Sequence, residues 1–204
     1  MLRYAITDRL QFLGDDHARR VALLHQATHL AESGVDFLQL REKDIEAGAL
    51  AELARQILII FRAHPNPPKL LINSRADIAI GTRAEGVHLT SAPGSLTPSQ
   101  IRELYAATNL PAPIVSVSCH TLAEVARARE DAATFILFGP VFEKVVANEP
   151  ISAGSGLDLL RTACALAAPT TVLALGGITL ANAPACIAAG AAGIAAIRLF
   201  ASSP

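Results

Sequence analysis

The stretch Thr171-Val-Leu-Ala-Leu-Gly-Gly-Ile-Thr-Leu-Ala-Asn182 decides the fold. An apolar run with β-branched members leads straight into Gly176-Gly177, and a helix-like segment follows. Glycines at a strand end let bare backbone approach a ligand, because no Cβ stands in the way. N–H groups exposed there, beside a helix N-terminus, suit a phosphate. A second apolar run, Ala192-Gly-Ile-Ala-Ala-Ile197, comes next. Two late strands around a glycine turn are the usual phosphate grip of a (β/α)8 barrel. Taken alone, the glycine pair serves equally well as an ordinary strand-to-helix turn.

Working outward, strand-like and helix-like runs alternate along the whole chain. The strands expected are Leu2–Ile6, Phe37–Leu40, Lys69–Ile72, Gly86–Leu89, Ile114–Ser118, Phe135–Phe138, Thr171–Leu175 and Gly193–Ile197. They are short and almost continuously apolar, as parallel strands covered on both faces should be. Helical spacing predicts helices at His17–Glu32, Ala47–Phe61, Thr97–Ala106, Thr121–Arg129, Leu157–Leu166 and Leu180–Ala189. Thr97-Pro98 and Thr121-Leu-Ala-Glu124 read as helix starts, while Gly34 and Gly190 read as stops. Eight strands with helical crossovers predict an α/β fold, a (β/α)8 TIM barrel occupying residues 1–204 as a single domain. Only seven residues follow Ile197, so the last helix is expected to be short or missing. A doubly wound open sheet is the alternative, but its phosphate glycines belong after the first strand, and none stand there.

Composition narrows the function. With 51% apolar and 17% charged residues, much of the chain must be covered on more than one side. A net charge of −1 supplies no basic field for nucleic acid and no polybasic membrane patch. No apolar run is long enough to span a bilayer, and the first residues lack the pattern of a signal peptide. A cytoplasmic enzyme is the expectation, and a homo-oligomer, because a missing last helix leaves a flank for another subunit to cover. Cys119, Cys164 and Cys186 are an odd number without metal spacing and read as packing residues.

Barrel chemistry gathers at the carboxyl ends of strands. Those ends here are Thr7-Asp8-Arg9, Gln39-Leu-Arg-Glu-Lys43, Asn73-Ser-Arg75, His88-Leu-Thr90, Ser118-Cys-His120, Gly139-Pro140, Gly176-Gly177 and Arg198. Alternation puts Gln39 and Arg41 on one side of their strand, facing the axis if Leu38 and Leu40 face the helices. An inward Arg must meet an anion: a substrate phosphate or carboxylate, or structurally Glu42 or Asp8. Lys43, just beyond, reads as an anion clamp or a solvated loop charge. His120 ends a strand, precedes a capped helix and can take and give a proton near neutrality. His88, inside its strand, reads as structural.

Together these strand ends resemble the thiamine phosphate synthase/TenI family over essentially the whole chain. The matching stretches are Tyr4–Asp8, Gln39–Lys43, Asn73–Asp77, Gly86–Leu89, Ser116–His120, Phe138–Phe142, Leu175–Thr179 with Asn182, and Ala189–Ile194. The resemblance implies a barrel handling thiazole phosphate. It also implies one of two activities: a Mg2+-assisted synthase joining thiazole phosphate carboxylate to a pyrimidine methyl diphosphate, or a metal-free TenI-type tautomerase of the thiazole carboxylate. The synthase pattern carries metal-binding aspartates after strands three and four. This chain has Asn73-Ser74 and Thr90-Ser-Ala-Pro-Gly-Ser95 there. It also has Lys144-Val-Val-Ala147 where the pattern is Thr-x-Thr-Lys, and Arg198 where a small Ser is usual.

The sequence is therefore expected to be closer to TenI than to the synthase. His120 is the expected acid/base. Gln39, Arg41, Lys43, Asn73, Ser118 and Lys144 are the expected substrate contacts, and Gly176, Gly177, Ile197 and Arg198 the phosphate contacts. No metal ligand and no cofactor is expected, with Mg2+ entering only under the synthase alternative. A non-catalytic barrel that binds thiazole or thiamine phosphates is the third possibility. The expected partner is a small-molecule thiazole phosphate.

Overall fold

A computed structural model of the chain describes residues 1–146 and 149–201, with the side chains of 144–152 outside the description. Eight parallel strands close into a barrel: β1 (Leu2–Ile6), β2 (Phe37–Leu40), β3 (Lys69–Asn73), β4 (Gly86–Thr90), β5 (Ile114–Cys119), β6 (Phe135–Phe138), β9 (Thr171–Leu175) and β10 (Gly193–Ala196). Between β6 and β9 sits a small antiparallel pair, β7 (Lys144–Val146) and β8 (Glu149–Ser152). The barrel is closed by β1 against β10, Leu2 opposite Gly193 and Ala5 opposite Ala196. This is the (β/α)8 architecture that the alternating runs predict. Three strands run past their expected ends because ladder partners continue there: Asn73 pairs with His88, Thr90 with Ser118, and Cys119 with Phe138.

The helices are α1 (Asp16–Glu32), α2 (Ala47–Arg62), α3 (Ala76–Thr82), α4 (Pro98–Ala107), α5 (Leu122–Glu130), α6 (Gly156–Ala167) and α7 (Ala183–Ala188). Thr97 with Gln100, and Thr121 with Glu124, form complete capping boxes. They satisfy N–H groups that the first turn leaves without partners. α7 starts later than the expected Leu180. The Asn182 side chain takes the Thr179 N–H at 2.8 Å and donates to the Gly177 carbonyl at 2.9 Å, holding 177–182 as a turn. Sequence periodicity did not separate α3, which is too short to show a stripe, or the β7–β8 pair. The last described element is a 3-10 turn, Arg198–Phe200.

Strand alternation divides the core in two. Leu38 and Leu40 pack outward with the helices. Tyr4, Ile6, Phe37, Leu71, Leu137, Leu173 and Ala195 fill the barrel interior. Tyr4 and Phe135 flank the Phe37 ring, with centroids 5.8 and 4.7 Å away. Burying such rings stabilises the fold by roughly 1.5–3 kcal/mol each.

A polar knot ties the ends of β1 and β2. Glu42, 5% exposed, accepts from Thr7 Oγ1 at 2.6 Å and from the Arg9 N–H at 3.1 Å. The Arg9 guanidinium lies 3.4 Å from Glu42, 2.5 Å from Asp44 and 2.9 Å from Asp16. Burial pushes the Glu42 carboxyl above its ordinary range, while Thr7 and Arg9 pull it back. Among the described residues no helix is long and apolar enough to cross a membrane.

Glu42→Gln removes the charge that the buried side of Arg9 faces. We expect a loss of about 2 kcal/mol in unfolding free energy, read as a lower urea midpoint at unchanged slope.

Candidate active site

Of the expected contacts, Gln39 and Asn73 meet at the carboxyl ends of β2 and β3. Gln39 is 1% exposed, and its Nε2 donates to Asn73 Oδ1 at 2.8 Å, across β2 and β3. Gln39 Oε1 is buried with no partner among the described residues. Arg41 is half-buried, and its main-chain N–H is fixed by Thr7 Oγ1 at 2.9 Å. Glu42 is held by Arg9 and Asp8 by Gln11, so neither is the ion-pair partner that a structural role for Arg41 would require. Lys43 is exposed. The Lys144 side chain lies outside the described residues.

His120 sits one residue past β5 and faces solvent. Its main-chain N–H donates to Glu124 Oε2 at 2.6 Å, an extension of the α5 cap. Its Nδ1 lies 2.5 Å from the Gly139 carbonyl oxygen at the end of β6. A carbonyl only accepts, so Nδ1 carries the hydrogen, and the neutral ring keeps its lone pair on Nε2. The ring is thus held by one nitrogen with the other offered as a base. Cys119, the neighbour, is fully buried. Burial and the nearby Glu124 push its thiol up to about 12, which fits packing rather than nucleophilic use.

His88 is 3% exposed and engaged at both nitrogens, with Nδ1 2.8 Å from Ser116 Oγ and Nε2 2.9 Å from Ser118 Oγ. Burial and the nearby Arg41 cation push its pKa down to about 3. That makes it the structural histidine the sequence suggested.

The glycine turn has a geometric reason beyond ligand access. Gly176 has φ +92° and Gly177 φ +64°, a region that side chains avoid. A Cβ on Gly176 would lie 2.6 Å from Pro140, and one on Gly177 2.7 Å from Phe142. The Val141 N–H donates to the Leu175 carbonyl at 2.8 Å, and the Phe142 N–H to the Gly176 carbonyl at 3.1 Å. The turn is therefore clamped against the segment after β6. On its other side, Ile197 follows β10 and Arg198 opens the closing 3-10 turn, its side chain exposed.

The acidic groups do not fit a dedicated Mg2+ site. Mg2+ favours carboxylate and phosphate oxygens in octahedral order. At the end of β3 stands Ser74, with φ +57° and its N–H on the His88 carbonyl. Arg75 grips Asp77 through two contacts of 2.9 and 2.6 Å. After β4, Thr90 and Ser95 bond each other at 2.9 Å, with no carboxylate between them. Among the described residues no group of three or more His, Cys, Asp or Glu side chains could hold a metal ion. A flank cavity of about 310 Å³, between the loop after β4 and α5, is lined by residues such as Thr90, Pro93, Ser95, Leu96, Glu124 and Arg127. Gln39, Arg41, Asn73, His120 and the glycine turn are not part of it.

A closed barrel with polar groups, a poised imidazole and a clamped glycine turn at one mouth defines an enzyme-type (β/α)8 protein with a small-molecule site. The chain belongs to the TMP-TENI family of thiamine biosynthesis, whose model, described as thiamine monophosphate synthase, matches residues 4–200. It is 39% identical to a putative thiamine-phosphate synthase of Geobacter sulfurreducens, over 98% of this chain and 87% of the relative. It is 34% identical to a thiamine-phosphate synthase of Roseiflexus castenholzii, over 98% and 81%. The fold is shared with the thiamine phosphate pyrophosphorylase of Pyrococcus furiosus, at a TM-score of 0.79, 24% identity, and 99% and 88% coverage.

Sequence reasoning missed the Arg9–Glu42 knot, offering Glu42 only as a possible partner of Arg41, and missed Gly139 as the partner of His120. The pairing of β5 with β6 supplies that contact, and no local signal announces it.

The His88 ring carries a proton in the unfolded chain below about pH 6.5 and resists one in the fold down to about 3. The unfolded state then binds more protons, so stability is full above pH 6.5 and falls as pH drops. Between pH 6.5 and 5 we expect a decline approaching ~1.4 kcal/mol per unit from this group, flattened in His88→Asn, measured by urea unfolding.

Proposed function

We infer that the protein is a thiazole tautomerase acting on a thiazole phosphate carboxylate without a metal. The observation that carries this reading is the His120 ring, bonded through Nδ1 to Gly139 with Nε2 left as a base at the mouth. Tautomerisation needs one group that removes a ring proton and returns it at the far end of the same conjugated system, with no change in composition. The phosphate would lie against the backbone of Gly176, Gly177 and Ile197–Arg198, and Arg41 or Lys43 would hold the carboxylate. Gln39, Asn73 and Ser118 would contact the ring between them. Among the described residues no group of carboxylates could hold Mg2+, which supports a metal-free reaction.

The second reading is the synthase: transfer of the pyrimidinylmethyl group from its diphosphate to the thiazole nitrogen, releasing diphosphate from that carbon and CO2 from the ring carboxylate. The names of the relatives favour it. Under it, Arg41, Lys43 and Lys144 would carry most of the diphosphate charge, since Arg75 is already paired with Asp77. We further read the chain as a cytoplasmic homo-oligomer. Leu13 and Leu180, 94% and 75% exposed, lie on the connections leading into α1 and α7, which flank the place an eighth helix would fill. Sedimentation velocity measures that.

A coupled assay with the thiazole carboxylate phosphate decides between the readings. Conversion without added metal is expected, falling about 10²–10⁴-fold in His120→Gln. Thiamine phosphate formed only with Mg2+ and the pyrimidine diphosphate would instead establish the synthase. Tight binding with no turnover of either kind would make the chain a binding protein.

A further inference from the structure

Inside the barrel runs a hydrogen-bonded chain that neither the imidazole base nor the phosphate grip uses. Tyr4 Oη lies 2.9 Å from Ser116 Oγ and 3.5 Å from His88 Nδ1. Ser116 Oγ lies 2.8 Å from the same nitrogen. Across the ring, His88 Nε2 is 2.9 Å from Ser118 Oγ. Tyr4 and Ser116 are wholly buried, whereas Ser118 is partly exposed at the mouth.

Buried hydroxyl hydrogens need acceptors, and here they have only one another and the ring. If Nδ1 keeps its lone pair, Tyr4 donates to Ser116 and Ser116 donates to Nδ1, so both hydrogens are satisfied. If Nδ1 carries a hydrogen, it occupies Ser116, and one of the two hydroxyl hydrogens is left with no acceptor. A protonated ring fails in the same way, and burial and the Arg41 charge oppose it as well. The neutral ring therefore holds its hydrogen on Nε2 and gives it to Ser118 Oγ. The Ser118 hydrogen is then turned outward.

We propose that Tyr4 and Ser116 are a positioning pair: their two buried hydrogens, with only each other and the His88 ring to accept them, set the direction of every hydrogen bond in this chain, so that Ser118 is presented to the substrate as a donor. A donor of this kind selects an acceptor, such as the ring carboxylate, over a group that itself donates. The choice of carboxylate rests on the function proposed above; the direction of the chain does not.

Nitrogen-15 NMR of the imidazoles in the full chain tests the direction without any ligand. His88 is expected as the Nε2–H tautomer, and an Nδ1–H tautomer in the unaltered protein overturns the proposal. Tyr4→Phe alone leaves the Ser116 hydrogen with the ring as its acceptor, so the tautomer should not change. Tyr4→Phe combined with Ser116→Ala removes both ordering hydrogens, and the Nδ1–H tautomer should become populated. A spectrum unchanged in the double variant, at an unaltered melting temperature, also overturns the proposal. For the outward donor, the thiazole phosphate carboxylate should bind about tenfold more weakly to Ser118→Ala and to the double variant. The same thiazole phosphate lacking the carboxylate should bind equally to all three proteins. Equal binding of the carboxylate to Ser118→Ala overturns the donor role. If the unaltered protein binds neither compound, the proposed substrate fails, while the imidazole spectra still decide what the Tyr4–Ser116 pair does.

Discussion

Everything at the mouth depends on the pairing of β1 with β10. Parallel strands expose unpaired N–H and C=O groups along any open edge. Bringing the first strand against the last removes both edges at once and turns one face of all eight strands into an enclosed interior. The contact is tight: a Cβ on Gly193 would lie 2.2 Å from the Leu2 carbonyl oxygen. Only once that interior exists do alternating residues such as Tyr4, Gln39, His88 and Ser116 become buried neighbours rather than scattered polar groups on a sheet.

Within that enclosure the charges and hydrogens are assigned by what is already taken. Arg9 takes Glu42, which leaves that carboxylate already engaged and not an ion-pair partner for Arg41. Asp77 takes Arg75, which removes one cation from any diphosphate site. Gly139 takes one nitrogen of His120 and leaves the other as the proposed base. Chemistry at this mouth is defined as much by the groups that are spent as by those left over.

Much of this was legible in the sequence. Short apolar runs gave the eight barrel strands because a strand covered on both faces can have few polar members. The caps at Thr97 and Thr121 were readable because their partners lie three residues on. His120 stood out because a titratable ring at a strand end has few structural excuses. What stayed hidden depends on strand neighbours far apart in sequence. Tyr4 and Ser116 meet only after closure, as do His120 and Gly139 across the pairing of β5 with β6. The β7–β8 pair is three and four residues long, below what alternation can reveal. The sequence leaned toward the tautomerase on a few strand-end residues, Ser74 and Lys144 among them, but neither the fold nor the named relatives distinguish the two activities.

One short segment, Gly139 to Phe142, touches two ends of the proposed chemistry. Its first carbonyl restrains the imidazole, and its last two N–H groups are fastened to Leu175 and Gly176 beside the anion turn. The proposed proton carrier and the proposed anion cradle are therefore bolted to the same four-residue beam. Under that reading, a substitution that shifts this beam moves the imidazole and the anion turn in concert, so the two are not free to drift independently as the sequence diverges.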